Sequence, residues 1–400
     1  MPWTLVFSLV VFAPIVAINI YIGKTIFRAL VALTGWSRKI LKRVIVILLV
    51  YVNLLPLVFL AAYLAAGRGA VPYFAGDVAV IDILLTYPFW IALIISVQLL
   101  LGFAVVDVVD LFLKWFAPSS RQAWNRRTPA IQIAYAVFVT LYSLVVIFLN
   151  TWTVRVVERD VRLPEQFKPL SGFRIVQISD VQGDGRTTPE ILRAYVQKVN
   201  ALKPDIVLFA GDLVTSGTRY IDSTAAILGE LNAPYGAVAA IGDHDIFSRK
   251  SMVLEALKSA RILVVEDTTV VATVNQARLA IAVITYTYGQ RTENERLQRI
   301  LEESAGSYRI LLVHQPAEML VEKAANAGFN LFIAGHTHGG GIAFGIPGLF
   351  LLAPANVESR YVSGFYEVGS LLVSVTNGLG FTLAPVRFHA PAEIVVLTLR

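Results

Sequence analysis

Four apolar segments set the first limit on how this chain can fold: residues 5–22, 44–64, 83–106 and 131–149. A helix needs roughly 20 consecutive apolar residues to cross a bilayer, and each segment is about that long. The first is read as a retained span and not a signal peptide. No basic residue precedes it, and no small-x-small cleavage site follows it. Beyond residue 170 the chain reads as a globular protein of ordinary composition, so its 400 residues fit two domains better than one. The division expected is a transmembrane region of four helices over 1–150, a linker over 151–170 and a globular domain over 171–400.

Charge follows the same division. Up to residue 170 there are 15 Lys+Arg against 7 Asp+Glu; of the 34 and 28 in the whole chain this leaves 19 against 21 for the rest. The basic balance therefore belongs beside the hydrophobic spans, and no nucleic-acid partner is expected. Lys24, Arg28, Arg38, Lys39, Lys42 and Arg43 lie between spans one and two. Lys114, Arg121, Arg126 and Arg127 lie between spans three and four. Between spans two and three there is only Arg68, with Asp77 and Asp82. Basic loops stay in the cytoplasm. The expectation is a multi-pass protein of the cell (inner) membrane, with its N-terminus and its globular domain both extracytoplasmic. Asp107 and Asp110 close the third span. They are read as interfacial, near Lys114, and not as an ion path, because one turn of drift places them among headgroups. The spans show no polar cluster and no paired Gly/Pro breaks of the transporter kind. With no cysteine in the chain, disulfides and thiolate metal sites are excluded.

In 151–170 charge alternates with valine, which predicts a short exposed strand ended by Pro164 and Pro169. From 171 on, short β-rich runs alternate with amphipathic ones. "FRIVQISD", "DIVLFAGD", "GAVAAIGD", "RILLVHQP" and "NLFIAGHTH" read as strands. "TPEILRAYVQKVNALK", with Thr188 as N-cap, "STAAILGEL", "SMVLEALKSA", "NERLQRILEESA" and "AEMLVEKAANAG" read as helices. "TTVVATV" and "LAIAVITY" predict a hairpin around Asn275-Gln276, and the remaining tail is strand-rich. The pattern is layered α/β: two sheets packed face to face and covered by helices.

The runs end on Ser179-Asp180, Gly211-Asp212, Gly242-Asp243-His244-Asp245, Val313-His314 and Gly335-His336-Thr337-His338. Four of the five histidines fall in this set; only His389 does not. Ligands in open α/β sheets collect at the C-terminal strand edge. One Gly-Asp after a strand is an ordinary turn. Five such corners are not, because a core has no use for carboxylates and imidazoles brought together unless a cation neutralises them.

The order Asp-x-x, Gly-Asp, Gly-Asp-His-Asp, His, Gly-His-x-His resembles that of the calcineurin-like metallophosphoesterases. "GHTHGG", "TNGLG" and "APVRFHAPAEIVVLTL" look closest to a membrane-tethered bacterial branch. The resemblance covers about residues 171–400. It implies a four-layer α/β sandwich holding two divalent metal ions and a metal-dependent phosphatase or phosphodiesterase activity. One ion would be held by Asp180, Gln182, Asp212 and His338, the other by Asp212, Asp243, His314 and His336. Asp212 would bridge them, and His244 would serve the leaving group or the transition-state charge, with Asp245 orienting its ring.

Two positions depart from the family pattern. Gln182 replaces a histidine, and Asp243 replaces an asparagine. An oxygen-richer, more anionic site favours harder ions, so Mn²⁺ is expected, with Mg²⁺, Fe and Zn²⁺ admitted. Asp184, two residues on, is an alternative ligand to Gln182. Arg186 is a candidate for holding phosphate, whereas Arg387 reads as structural. "GGG" at 339–341 is either a flexible turn or a backbone cradle for phosphate. The tether to membrane spans points to membrane lipids as partners and to a phospholipid, lipid-linked sugar phosphate or isoprenoid phosphate as substrate. The alternative is an inactive relative that binds phosphate or a partner.

Overall fold

The computed structural model describes residues 3–66, 79–303, 305–346, 350–381 and 384–400; Arg68 and Asp77 lie outside them. The chain forms two compact units that divide between residues 148 and 149.

The first unit is helical: α1 (Trp3–Leu33), α2 (Arg38–Val52), α3 (Leu54–Ala66), α4 (Ala79–Ile81), α5 (Tyr87–Phe116) and α6 (Pro118–Trp152). A π-turn, Asp82–Thr86, joins α4 to α5. Three stretches, Phe12–Leu33, Ala79–Phe116 and Pro118–Trp152, are long and apolar enough to cross a membrane. The pair α2–α3, bent by 48°, makes a fourth if it is one span. Pro56 explains the bend. It has no N–H for the carbonyl of Val52, and its ring crowds that carbonyl. Asn53 fills the break: its amide donates to the Leu49 carbonyl at 2.7 Å and accepts from Asn19 at 3.1 Å. Ser96 in turn donates to Asn19 at 2.7 Å. The sequence reading found no polar cluster in the spans; the fold builds this one from residues 19, 53 and 96, which no local pattern connects. At the end of α5, Asp110 takes two hydrogen bonds from Arg121, and Asp107 accepts from Tyr21 at 2.6 Å.

The second unit is layered. One six-stranded sheet runs β1 (Val154–Val161), β14 (Ala392–Leu399), β2 (Arg174–Ile178), β3 (Ile206–Phe209), β4 (Ala237–Ala239), β5 (Leu263–Val264). The other runs β12 (Gly364–Val368), β13 (Leu371–Val375), β9 (Leu331–Ala334), β8 (Tyr308–Val313), β7 (Ala277–Ile284), β6 (Thr268–Val274). Both sheets are mixed: β14–β2, β12–β13 and β6–β7 are antiparallel, and the remaining pairs are parallel. A separate hairpin pairs β10 (Phe344–Ile346) with β11 (Phe350–Leu352). Side-chain alternation sorts each strand between two layers. On β2, Ile175 faces the other sheet, packing with Leu208, Ile310 and Ile333. Val176 and Ile178 face α7 (Pro189–Ala201), α8 (Ile221–Leu228) and α10 (Lys250–Ser259). The far side of the second sheet packs under α11 (Asn294–Glu302) and α12 (Glu318–Asn326). The result is the four-layer α/β sandwich that the strand pattern and the resemblance implied.

Residues 151–170 do more than link. β1 pairs with β14 in parallel along its whole length, from Val154↔Ala392 to Val161↔Leu399, and so extends the sheet. A five-residue helix, α9 (Asp243–Phe247), begins at the third strand corner. Asn275 and Gln276 both take positive φ, the geometry of a two-residue hairpin turn whose twist matches its strands. Thr188 stands at the N-cap of α7, but its side chain makes no capping bond.

Candidate metal centre

The strand ends do converge. β2 leads into Asp180, β3 into Asp212, β4 into Asp243 and His244, β8 into His314, and β9 into His336 and His338. To turn inward, Asp180, Gln182, Asp212, His336 and His338 all adopt positive φ, a conformation that non-glycine residues rarely hold and that collects at functional sites. Neighbouring glycines leave the room. A Cβ on Gly335 would lie 1.9 Å from Ser179 Oγ, and one on Gly242 would lie 2.0 Å from Asp212 Oδ1. Gln177 fixes the two sheets to each other just behind the site. Fully buried, it donates to the Ala334 carbonyl at 2.8 Å and accepts from Ser374 at 2.6 Å.

Two clusters result, with a third overlapping both: Asp243, His314 and His336; Asp180, Asp212 and His338; and Asp212, Asp243 and His244. Within each, one ligand-type atom per residue lies within 4.8 Å of the others. The first cluster can be read proton by proton. His314 Nδ1 sits 2.8 Å from the Ala210 carbonyl, which can only accept, so Nδ1 carries the hydrogen. His336 Nε2 sits 3.1 Å from a Glu358 carboxylate oxygen, so there Nε2 carries it. In the neutral imidazoles that leaves lone pairs on His314 Nε2 and His336 Nδ1, 3.2 Å apart, and each lies 2.9–3.1 Å from Asp243 Oδ1. Three lone pairs facing one another are satisfied by extra protons or by a cation. Burial opposes protonation of His336, but its bonds to Asp243 and Glu358 hold the pKa up to about 9. Burial raises the Asp243 carboxyl, and hydrogen bonds from His314 and His336 outweigh it and bring it well below the usual range. A divalent ion would replace those protons.

The second cluster shows the same need in another form. Asp180 Oδ1 and Gln182 Oε1 are buried acceptors with no hydrogen-bond partner. Such groups are costly unless something positive meets them. Asp180 is raised chiefly by burial, with the charge of Asp212 adding to it. His338 Nε2 lies 3.4 Å from Asp180 Oδ1. Burial first and the nearby Arg387 second keep its ring far below the usual imidazole pKa, hence neutral and able to ligate. The donor set therefore fits divalent metal ions at both clusters.

Gln182 donates from Nε2 to Asp212 Oδ2 at 2.9 Å, which turns its amide oxygen away from that carboxylate. Asp184 is not a substitute ligand. Its Oδ1 accepts the backbone N–H groups of Arg186 and Thr187, and its Oδ2 accepts the Thr215 hydroxyl, each at 2.7 Å. Asp245 does not orient His244. Its carboxylate accepts the backbone N–H groups of Asp212, Leu213 and Gly242 and so fixes the Asp212 corner. The His244 ring is held by the Thr215 carbonyl, 2.5 Å from Nδ1. Thr215 was missed because no motif marks it, and nor does any mark Glu358. Tyr288 stacks edge-on against His336, with ring centroids 5.3 Å apart, on the same side as Glu358.

Arg387 is structural, as read from sequence. Buried, it donates to the carbonyls of Asn377, Gly378, Gly380 and Ala390, which ties the histidine corner to the 377–380 turn. All three glycines of 339–341 take positive φ, and two of them also serve packing, whereas a Cβ on Gly341 would meet open space. A Cβ on Gly339 would lie 2.3 Å from Asn377 Oδ1, and one on Gly340 would lie 2.1 Å from the Ala353 Cβ. Arg186 belongs to the loop that Asp184 ties down.

A sequence profile described as calcineurin-like phosphoesterase matches residues 173–340. An uncharacterized metallophosphoesterase of Bacillus subtilis, YkuE, is 32% identical over 236 residues, covering 58% of this chain and 80% of that one. A transmembrane protein with metallophosphoesterase domain from Danio rerio is 29% identical over 60% of this chain and 56% of its own length. UDP-2,3-diacylglucosamine pyrophosphatase LpxG of Chlamydia muridarum is 39% identical over 87 residues, which is 22% of this chain and 26% of that one. With its strand ends gathered into an Asp/His cage and a relative this similar over most of its length, the chain belongs to the calcineurin-like metallophosphoesterases.

Proposed function

We propose that this protein hydrolyses a phosphate ester carried by a membrane lipid, with two divalent metal ions held at the strand ends. Asp180, Gln182, Asp212 and His338 would hold one ion, and Asp212, Asp243, His314 and His336 the other. Manganese suits the oxygen-rich set. The observation that carries the reading is the pair of unmet needs: three facing lone pairs in one cluster and two unpartnered buried oxygens in the other.

Bound there, divalent ions supply Lewis acidity toward phosphate oxygens and lower the pKa of water. The protein's own groups do the rest. Asp212 is held from both sides, Oδ2 by Gln182 and Oδ1 by the His244 backbone N–H at 3.0 Å, so its geometry is set before any ligand arrives. His244 has Nδ1 committed to the Thr215 carbonyl, which leaves Nε2 as the atom to pass a proton to a departing oxygen. Burial works against that proton, but Asp212 and Asp243 outweigh it and raise the pKa.

The membrane setting is supported by the apolar helices, and the lipid substrate by the Chlamydia relative, whose named substrate is an acylated sugar nucleotide. The basic segments either side of α2–α5 support a globular unit outside the cytoplasm. The test uses the purified full chain, Mn²⁺, bis-p-nitrophenyl phosphate and a panel of vesicle-borne phosphate esters. Turnover is expected, and Asp212→Asn and His336→Ala should each reduce it at least about 100-fold. Full metal occupancy with no turnover on any ester would instead identify an inactive relative.

A further inference from the structure

We propose that the mouth of the metal centre docks on the bilayer surface through an apolar collar built around the β10–β11 hairpin. Three observations lead there. First, residues 339–357 contain no charged side chain, and Glu358 is the first charge after His338. Second, the hairpin register pairs Phe344 with Leu352 and Ile346 with Phe350. Side chains two apart on a strand and directly across an antiparallel pair share a face, so all four project from one side. Ile346, Phe350, Leu352 and the nearby Val357 are each at least 51% exposed. Third, both ends of this excursion are fixed at the metal centre. It leaves from His338; on its return Ala353 packs against Gly340, and Glu358 bonds His336. Beside Glu358, Tyr288 stacks on His336, and it and Phe247 are also more than half exposed.

An apolar face of this kind at the rim of a site marks an interaction surface. The occupant it fits is a lipid surface. Between the end of α6 at Trp152 and the start of β1 at Val154 lies one residue, so no free chain lets this unit leave the membrane to which its helices confine it. Held that close, a few apolar side chains suffice for interfacial binding. The purpose rests on the phosphoesterase reading: a lipid phosphate stays at the headgroup level, and ligands recessed at strand ends reach it only if their rim comes to that level. The docking itself does not depend on turnover.

The chain has no cysteine, so single labels are direct. Leu352→Cys, Val357→Cys and, as a remote control on β6, Val271→Cys would carry an environment-sensitive fluorophore in the full chain in phosphatidylcholine vesicles. Lipids spin-labelled near the headgroup should quench positions 352 and 357 at least about twofold and leave 271 unchanged. A second arm compares Ile346→Ser/Phe350→Ser/Leu352→Ser with the parent. Its kcat/KM on a vesicle-borne phosphate ester should fall about tenfold, with the soluble p-nitrophenyl ester unaffected. A parent that cleaves neither ester defeats the phosphoesterase reading, and quenching then decides docking alone. Labels at 352 and 357 that respond to lipid no more than 271 does, or that sit against a second copy of the chain, overturn the proposal, as does an equal loss on both esters.

Discussion

Asp184 lies two residues from Gln182, to which it was the alternative ligand, yet three accepted hydrogen bonds turn it to its own loop and to Thr215. Spacing in sequence says which residues are near, not which way their side chains are turned. Asp245 makes the same point: adjacent residues at a helix start diverge by about 100°, and it serves the Asp212 corner, not the neighbouring ring. The ligand-type residues themselves were legible because each follows a buried strand. Thr215 and Glu358 were not, because only the closed fold brings their loops to the site. Burial raises the Asp184 pKa to about 6, against the bonds it accepts. A carboxyl whose folded pKa exceeds its unfolded value stabilises the fold at low pH, and that stability is lost as pH rises from about 4 to about 6, on the order of 2–3 kcal/mol. Asp184→Asn keeps an acceptor for the two N–H groups and removes the charge. Its melting temperature should therefore be flatter across this pH range than the parent's. Asp184→Ala leaves those groups unsatisfied and should melt several degrees lower at every pH, since each costs about 1–3 kcal/mol. Thermal scans of the full chain in detergent at a series of pH values test both. At the neighbouring ligand position, Gln182→His should tighten Zn²⁺ more than Mn²⁺, as titration calorimetry would read, because imidazole is the softer donor.

Strands of the two-sheet core announce themselves by composition, and the 275–276 turn by its place between two β-rich runs. The edge strand β1 shows itself only as an exposed strand, through valine alternating with charge; that it joins the sheet does not show, because its partner β14 lies more than 200 residues on. That pairing covers the flank of a strand buried along nearly its whole length. A chain starting at residue 171 should therefore expose β14 as an open, apolar edge and aggregate, whereas one starting at residue 153 should remain monomeric by size-exclusion chromatography. Gln177 is a second element-scale case. A polar residue inside a strand looks like an error in the pattern, but it is the tie between β2 and the ends of β9 and β13. Gln177→Leu keeps the volume, strands the Ser374 hydroxyl, and removes one of the two donors to the Ala334 carbonyl, leaving it the Thr376 N–H. The expected cost is about 2–3 kcal/mol, with weaker Mn²⁺ binding, because the Ala334 carbonyl lies one residue before the Gly335-His336 corner. A melting shift with unchanged Mn²⁺ affinity would confine the tie to stability.

Taken whole, the topology turns on whether the bent α2–α3 pair crosses the membrane or turns back. By length and composition the helices allow three crossings or four. Charge separates the two. Lys24 to Arg43 flank the gap between α1 and α2, and Lys114 to Arg127 flank the gap between α5 and α6. Both segments are basic and nearly without acid, so the positive-inside rule expects both in the cytoplasm. Between them lie the pair and α5. If the pair turned back, α5 alone would carry the second basic segment to the opposite side. With the pair as one span, two crossings return it to the cytoplasm, and α6 then delivers the globular unit outside. The break at Pro56 is compatible with crossing, because Asn53 donates to the Leu49 carbonyl at the break and the side chains of Asn53, Asn19 and Ser96 satisfy one another. Single cysteines distinguish the outcomes. In intact cells a membrane-impermeant maleimide should label Lys258→Cys, on the surface of α10, and should not reach Arg126→Cys until the cells are permeabilised. The reverse pattern would put the metal centre in the cytoplasm, and soluble phosphate esters would then return as candidate substrates.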